Sequence, residues 1–177
     1  DLEKALISLD DLPAGWAVLT EDEEDEANKE TFTFLCQEYQ KKSIAKVSAD
    51  FQKAQVGPFL MNSVVTYPPG EAGNQFADML SAVDQCATFT DTQDGTKTEW
   101  TVTPISFPKL GEQSFAIRAS SEFVLGFIEV DSVYIRIGDT ITSIQYMMLG
   151  LQSIDSTQTE LFARLAEEKL LQVHEIP

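Results

Sequence analysis

The stretch "FIEVDSVYIRIGDTITSIQYMML", Phe127 to Leu149, decides the fold. It is rich in β-branched and aromatic residues interleaved with polar ones, and it is interrupted only at Gly138-Asp139. That pattern predicts two long strands joined by a tight turn, a type I′ hairpin. Its apolar set changes side near Asp131-Ser132, where Ile128 and Val130 give way to Val133, Ile135 and Ile137. A β-bulge there would reconcile the two halves, because one extra residue shifts the alternation by one.

Upstream, "QSFAIRAS" alternates Phe115, Ile117 and Ala119 against Ser114, Ala116 and Arg118, and "TEWTVTPISF" sets Trp100 and Val102 on one face. Both are strands, and "TQDGT" before them is a turn. "EAGNQFADMLSAVDQCATF" carries Phe76, Met79, Leu80, Val83 and Ala87 at three- and four-residue spacing, an amphipathic helix with Cys86 in its last turns. Before it, "KVSADFQ" sets Val47, Ala49 and Phe51 against Ser48, Asp50 and Gln52, while "PFLMNSVVTY" puts Phe59, Met61, Val65 and Tyr67 on one side. With "QVG" between them the two make a hairpin. Downstream of the opening stretch, Asp155 or Ser156 can cap a helix through "TQTELFARLAEEKLLQV" that turns Phe162, Leu165, Ala166, Leu170 and Val173 inward.

The chain begins with "LEKALISL", a short amphipathic helix, which Pro13 and Gly15 stop. In "LDDLPAGW" the proline and glycine fix a turn, so that Leu12 and Trp16 can fold back as a clasp on the core rim; ligand stacking is the other role open to Trp16. "EDEEDEANKE", Glu21–Glu30, is a block of like charge expected to be a solvated loop.

The order is thus helix, two strands, helix, four strands, helix. Hairpin connections need no crossover helices, so the expected fold is α+β: a twisted, mostly antiparallel sheet of about six strands with helices packed on one face. Residues 1–177 read as one domain, with an N-terminal helix and clasp over 1–16 and the acidic loop over 21–30.

Charge narrows the function. Twenty-nine acidic residues against 12 basic give a net charge of −17, which repels phosphate backbones and anionic lipid surfaces. Nucleic acid is excluded as a partner, and a membrane is reached only through an anchor outside this chain. No apolar run approaches the roughly 20 residues of a membrane span. No signal peptide is visible, but a chain that starts at Asp1 gives that absence no weight.

Catalytic signatures are missing. The sole histidine, His174, ends the last helix, and no GxSxG, HExxH, GxGxxG or phosphate-loop motif occurs. "DTQDGTKTE" fails as a calcium loop: with Asp94-Gly95 at its fifth and sixth positions, Thr101 stands where the bidentate glutamate belongs. No metal or cofactor is expected. Two strand-borne groups attract interest. Glu129 and Asp131 lie on one face of an otherwise apolar strand, either as a solvent-facing edge or as a polar groove lining. Arg118 and Arg136, together with Tyr134 and Tyr146, could hold a small anionic or sugar-like ligand if all four project from an uncovered face; salt bridges to the abundant acids are the structural alternative. Cys36 and Cys86 can be two buried thiols or one disulfide closing a long loop.

The "LDDLPAGW" entry, Cys36 before the first hairpin, a helix ending "CATF" (Cys86–Phe89), a strand with Trp100 and a late hairpin through "IRIGDTI" occur here in a recognisable order. The chain resembles the extracytoplasmic sensor-domain family of actinobacterial lipoproteins and receptor-type Ser/Thr kinases, the PknH C-terminal-domain type. The resemblance implies a twisted antiparallel sheet with packed helices and a groove, a Cys36–Cys86 disulfide, an extracytoplasmic site and no enzymatic activity. Kinase-type members carry a second disulfide that two cysteines cannot form, so their detailed cleft does not transfer. The expected function is non-catalytic ligand sensing at the cell surface, on a lipoprotein or another membrane-anchored protein. The alternatives are a protein-interaction module without a small ligand and, more remotely, a hydrolase built on paired carboxylates.

Overall fold

The computed structural model describes residues 2–20, 30–93, 95–124 and 126–174. Most of the expected acidic loop, residues 21–29, and Asp94 of the expected turn lie outside them. Ten strands and two helices follow in order: β1 (Ala17–Leu19), β2 (Thr31–Phe34), β3 (Gln37–Gln40), β4 (Ala45–Gln52), β5 (Phe59–Thr66), α1 (Glu71–Gln85), β6 (Thr88–Gln93), β7 (Thr96–Pro104), β8 (Gln113–Phe123), β9 (Gly126–Ile137), β10 (Thr140–Gly150) and α2 (Ser156–His174). The main sheet has eight strands rather than the expected six or so, in the order β1-β4-β5-β10-β9-β8-β7-β6, and every neighbouring pair is antiparallel. β2 and β3 form a separate two-stranded sheet.

The decisive hairpin is β9–β10, but it contains no bulge. Its pairing runs without a break from Ile137↔Thr140 to Phe127↔Gly150, and β8 keeps an equally continuous register on the other side of β9. The apolar set changes side because both faces of the sheet are covered. Val133, Ile135 and Ile137 pack under α2 with Ala163 and Leu170, while Tyr134 and Ile141 pack under α1 with Phe76 and Met79. Helices on one face is therefore corrected to one helix on each face, the arrangement that strands apolar on both sides demand. In the turn, Gly138 has φ 57° and Asp139 no positive φ, the pattern of type II′ rather than I′. Asp139 then anchors the approach to α1: its backbone oxygen accepts from the Tyr67 N–H at 2.9 Å and its Oδ1 from the Gly70 N–H at 2.8 Å.

On β5 the buried face is Leu60, Asn62 and Val64, opposite to the set expected from the sequence. Asn62 disguised it. This fully buried amide accepts the Ile7 N–H at 2.8 Å and donates to Thr142 Oγ1 at 3.2 Å and to the Ser143 carbonyl at 3.1 Å. The same bond withdraws Ile7 from a helix. With Ser8 donating through its N–H and hydroxyl to Asp11 at 2.8 and 2.6 Å, the N-terminal helix becomes two 3₁₀ turns, Leu2–Ala5 and Leu9–Asp11. Leu80, expected inward on α1, is exposed. Trp16 lies edge-on to Phe162, with ring centroids 5.8 Å apart.

Asp155, not Ser156, caps α2: its Oδ1 accepts the Thr157 N–H at 3.0 Å and hydroxyl at 2.5 Å. Those bonds to the Thr157 side chain and backbone hold its carboxyl below the usual range. A depressed folded pKa contributes stability that is present above the unfolded value of about 3.9 and is lost as pH falls through the folded one. Asp155→Asn, which still accepts the cap hydrogen bond, is expected to keep most of the melting temperature at neutral pH. It should also flatten the fall in stability below about pH 4 relative to the parent. Parallel acid limbs in thermal scans of the two proteins would refute the assignment.

Candidate functional site

The six residues expected to form a binding face do not meet. Opposed residues of an antiparallel pair share a face. Arg118 is opposite Asp131, on the α2 side, whereas Tyr134 is opposite Ser143 and Phe115, on the α1 side. Arg136 shares the α1 side with Tyr134, and Tyr146 lies under α2, 5.5 Å from Phe162. The supposed common face of Arg118, Arg136, Tyr134 and Tyr146 does not exist.

Arg118, Glu129 and Asp131 do come together, as a closed network at the start of α2. Arg118 binds Asp131 through two bonds, Nε to Oδ1 at 2.6 Å and Nη2 to Oδ2 at 2.9 Å, and also donates to the Ile154 carbonyl and Ser156 Oγ, each at 3.2 Å. Thr159 donates its hydroxyl to Asp131 Oδ2 at 2.8 Å. Glu129 accepts from Ser153 Oγ and the Ile154 N–H, both at 2.8 Å, and lies 3.9 Å from Arg118 Nη1. The hydrogen bonds that Arg118 donates to Asp131 raise the guanidinium pKa above its ordinary value against the opposing effect of burial. Glu129 is thus not a solvent-facing edge but a tie on the segment leading into α2. Arg136 is held at the β9–β10 turn, donating to Gln113 Oε1 at 2.6 Å and to the Gly138 carbonyl at 2.7 Å, and lying 2.9 Å from Glu112.

Tyr134 is the member of the six that lines an open groove, and that groove is the candidate site. On that face α1 packs against β9 and β10 and leaves β4 and most of β5 uncovered, and the β2–β3 hairpin borders the uncovered part. The space between has a volume of about 1450 Å³, above the roughly 300–1,000 Å³ of a common small-molecule pocket. Its floor is polar. Ser48, Ser63 and Ser143 lie in one row across β4, β5 and β10, continued by Tyr134 on β9, with Ser63 and Ser143 hydroxyls 2.8 Å apart. The next row brings Asp50, Met61 and Gln145. Apolar walls come from Phe32 and Phe34 of the hairpin, Met79 of α1, and Val65 and Ile141 of the sheet; Lys41, Lys42 and Lys46 stand along the rim. Lys42 pairs with Glu71 at 2.9 Å. Burial pushes the Tyr134 hydroxyl above its ordinary pKa, while bonds to Gln145 and Ser132 pull the other way, so it stays a neutral donor and acceptor.

A disulfide joins Cys36 to Cys86, with the Cα atoms 5.7 Å apart. It ties the turn of the β2–β3 hairpin to the end of α1 and so fixes one wall of the groove. Among the described residues no group of three or more His, Cys, Asp or Glu side chains could hold a metal ion, and no helix is long and apolar enough to cross a membrane.

The serines carried a signal. "VSADF", "NSVV" and "TSIQ" each place a polar residue at the alternating position of a strand, a pattern that suits solvent as well as a groove. The hairpin beside them joins two short strands in "TFTFLCQEYQ", Thr31–Gln40, which pair only with each other.

These features define a class: an antiparallel α+β domain with a helix on each face and a disulfide-walled groove. No protein-family model and no curated protein matches the sequence. Among solved structures the fold is similar to the extracellular domain of PknH from Mycobacterium tuberculosis, with a TM-score of 0.58 and 15% identity over 72% of this chain. The match covers 65% of that domain, and it is a likeness of fold.

Proposed function

We propose that this is a non-catalytic, extracytoplasmic ligand-sensing domain, belonging to a surface lipoprotein or other membrane-anchored protein, that takes a hydroxylated, sugar-like ligand in the groove. The observation carrying this reading is the row of Ser48, Ser63, Ser143 and Tyr134 at the bottom of a large open groove. Hydroxyl groups that both donate and accept suit a polyol, and flanking Phe32 and Met79 suit the apolar faces of its rings. Lys41, Lys42 and Lys46 in the lining are matched by Glu30, Glu38 and Asp50, so the groove is far less acidic than a chain whose net charge is −17 and suits a neutral sugar-like ligand. The disulfide supports a location outside the cytosol, where such bonds persist.

Native mass spectrometry beside the denatured mass reveals a ligand retained through purification. Titration with neutral and acidic oligosaccharides, followed by amide chemical shifts, then locates it. The expected result is perturbation confined to β4, β5, β10 and the β2–β3 hairpin. Replacing the hydroxyl pair with Ser63→Val and Ser143→Val should weaken binding about tenfold or more, while leaving the fold intact because neither hydroxyl is left without its partner. Shifts centred on Arg118, or the absence of any shift across the saccharide series, would count against the groove.

The protein-interaction alternative has one observation in its favour. At one end of the sheet Phe123, Val124, Leu149 and Leu151 are exposed, Val124 fully. Exposed patches of this kind mark contact surfaces when they are contiguous and large. The groove is preferred because it brings organised polar groups together with apolar walls, which a hairpin tip does not.

A further inference from the structure

The disulfide is the one covalent tie between the groove wall and the rest of the fold. β2–β3 shares no ladder with the eight-stranded sheet, and an isolated two-stranded hairpin is marginal in water. Its other attachments are side-chain contacts to the α1-side core, where Phe32, Leu35 and Tyr39 pack beside Phe34. Phe34 packs edge-on against Tyr134 at 5.4 Å and Phe115 at 6.4 Å, Tyr39 donates its hydroxyl to the Asp78 carbonyl at 3.0 Å, and Gln37 reaches Gln85 at 3.4 Å. Phe34 is the sole buried residue of the two strands. The two core clusters on the α2 face contain no hairpin residue, so much of the fold does not depend on this wall.

The two halves of the bond differ. Cys36 is exposed at the hairpin turn, whereas Cys86 is fully buried at the end of α1. The Cys36 N–H donates to Cys86 Sγ at 3.3 Å, placing a donor beside the sulfur that would leave as thiolate if the exposed one were attacked.

We propose that Cys36–Cys86 is a releasable latch: reduction by a dithiol frees the β2–β3 hairpin from α1 and opens the groove, while the eight-stranded sheet stays folded. That release regulates ligand binding rests on the groove being the ligand site; release of the hairpin does not. In the step, a thiolate of the dithiol bonds to Cys36 Sγ as the Cys36–Cys86 bond breaks and Cys86 departs with the electron pair. The second thiol of the reductant then displaces Cys36 from the mixed disulfide. The reductant leaves as a disulfide, having supplied two electrons, and both cysteine thiolates take up protons from its thiols through solvent.

The test uses dithiothreitol on the ligand-free protein at mildly alkaline pH, with alkylation and mass to count thiols and amide hydrogen exchange to follow each segment. Two alkylated cysteines are expected, with protection over Thr31–Gln40 falling by about 30- to 700-fold, the range to which a disulfide's typical contribution converts. Protection across β9 and β10 should stay within a few-fold. The double variant Cys36→Ala/Cys86→Ala should reproduce the reduced pattern without reductant. The latch is overturned by a bond that resists the dithiol, by a hairpin that keeps its protection once reduced, or by β9 and β10 losing protection in step with it. None of these readouts uses a ligand, so a groove that binds no saccharide leaves the result standing, and a failed latch leaves the saccharide titration standing.

Discussion

Asp131→Ala lowers the unfolding free energy by about 3–5 kcal/mol, the usual cost of removing one partner from a buried ion pair. Asp131 is fully buried, while Arg118 keeps 21% of its side chain exposed. Removing the carboxylate leaves the guanidinium without its two bonds at 2.6 and 2.9 Å and leaves Thr159 without an acceptor, all at the first turn of α2. Glu129, 3.9 Å from Nη1, is too distant and too committed to Ser153 and Ile154 to take over. Urea unfolding is the measurement, and the midpoint should fall with little change in slope. The double variant Arg118→Met/Asp131→Leu should lose less than Asp131→Ala alone, because it leaves no guanidinium without its carboxylate, Glu129 keeps its bonds from Ser153 and the Ile154 N–H, and Thr159 can turn its hydroxyl to a carbonyl of its own helix. A loss below about 1 kcal/mol for the single variant would show that solvent reaches Arg118 well enough to replace the carboxylate.

The same residues show where sequence patterns lose their hold. Glu129 and Asp131 were conspicuous as two acids in an apolar strand, and the structure does give them an organised role. Nothing in strand alternation says whether an acid on a buried face meets a ligand or an internal arginine. That depends on Arg118 being opposite Asp131 in the register, a long-range fact. The strands with a strong alternating signal, β4, β5 and β7 to β10, were legible, as were both helices. β1, β6 and the β2–β3 hairpin were not, since each is short or placed by its neighbours: β1 by the clasp, β6 by pairing with β7, the hairpin by Cys36–Cys86. Asn62 misled in the other direction. A polar residue in a strand normally marks the wet face, but this one is fully buried because it satisfies the Ile7 N–H and two partners on β10. The groove was hidden for a related reason. Ser48, Ser63 and Ser143 alternate as solvent-facing residues do, and the hairpin, the segment after it and α1 together make that surface concave.

Phe162→Ala is expected to cost about 3–5 kcal/mol, as large-to-small changes of buried aromatic residues do. Phe162 is 2% exposed and lies where three parts of the chain meet: Trp16 of the clasp edge-on at 5.8 Å, Tyr146 of β10 at 5.5 Å, and Ile7, Leu60 and Ile144 in the same cluster. The cavity cannot close readily, because its walls belong to the sheet, to α2 and to the N-terminal segment, and the last is tethered by Asn62 and by Lys169–Asp11 at 2.7 Å. Phe162→Leu refills part of the volume and should recover more than half of the loss. A further readout separates packing from a general loss of stability. In a Trp100→Phe background Trp16 is the remaining tryptophan, and its native-state emission should shift to the red in Phe162→Ala, because the ring it rests against is gone. Unchanged emission together with a small shift in the urea midpoint would mean that "LDDLPAGW" does not clasp α2 through this contact. The expected pair of effects would assign that opening segment to holding α2 on the sheet, on the side opposite the groove, and remove Trp16 from the residues that could stack on a ligand.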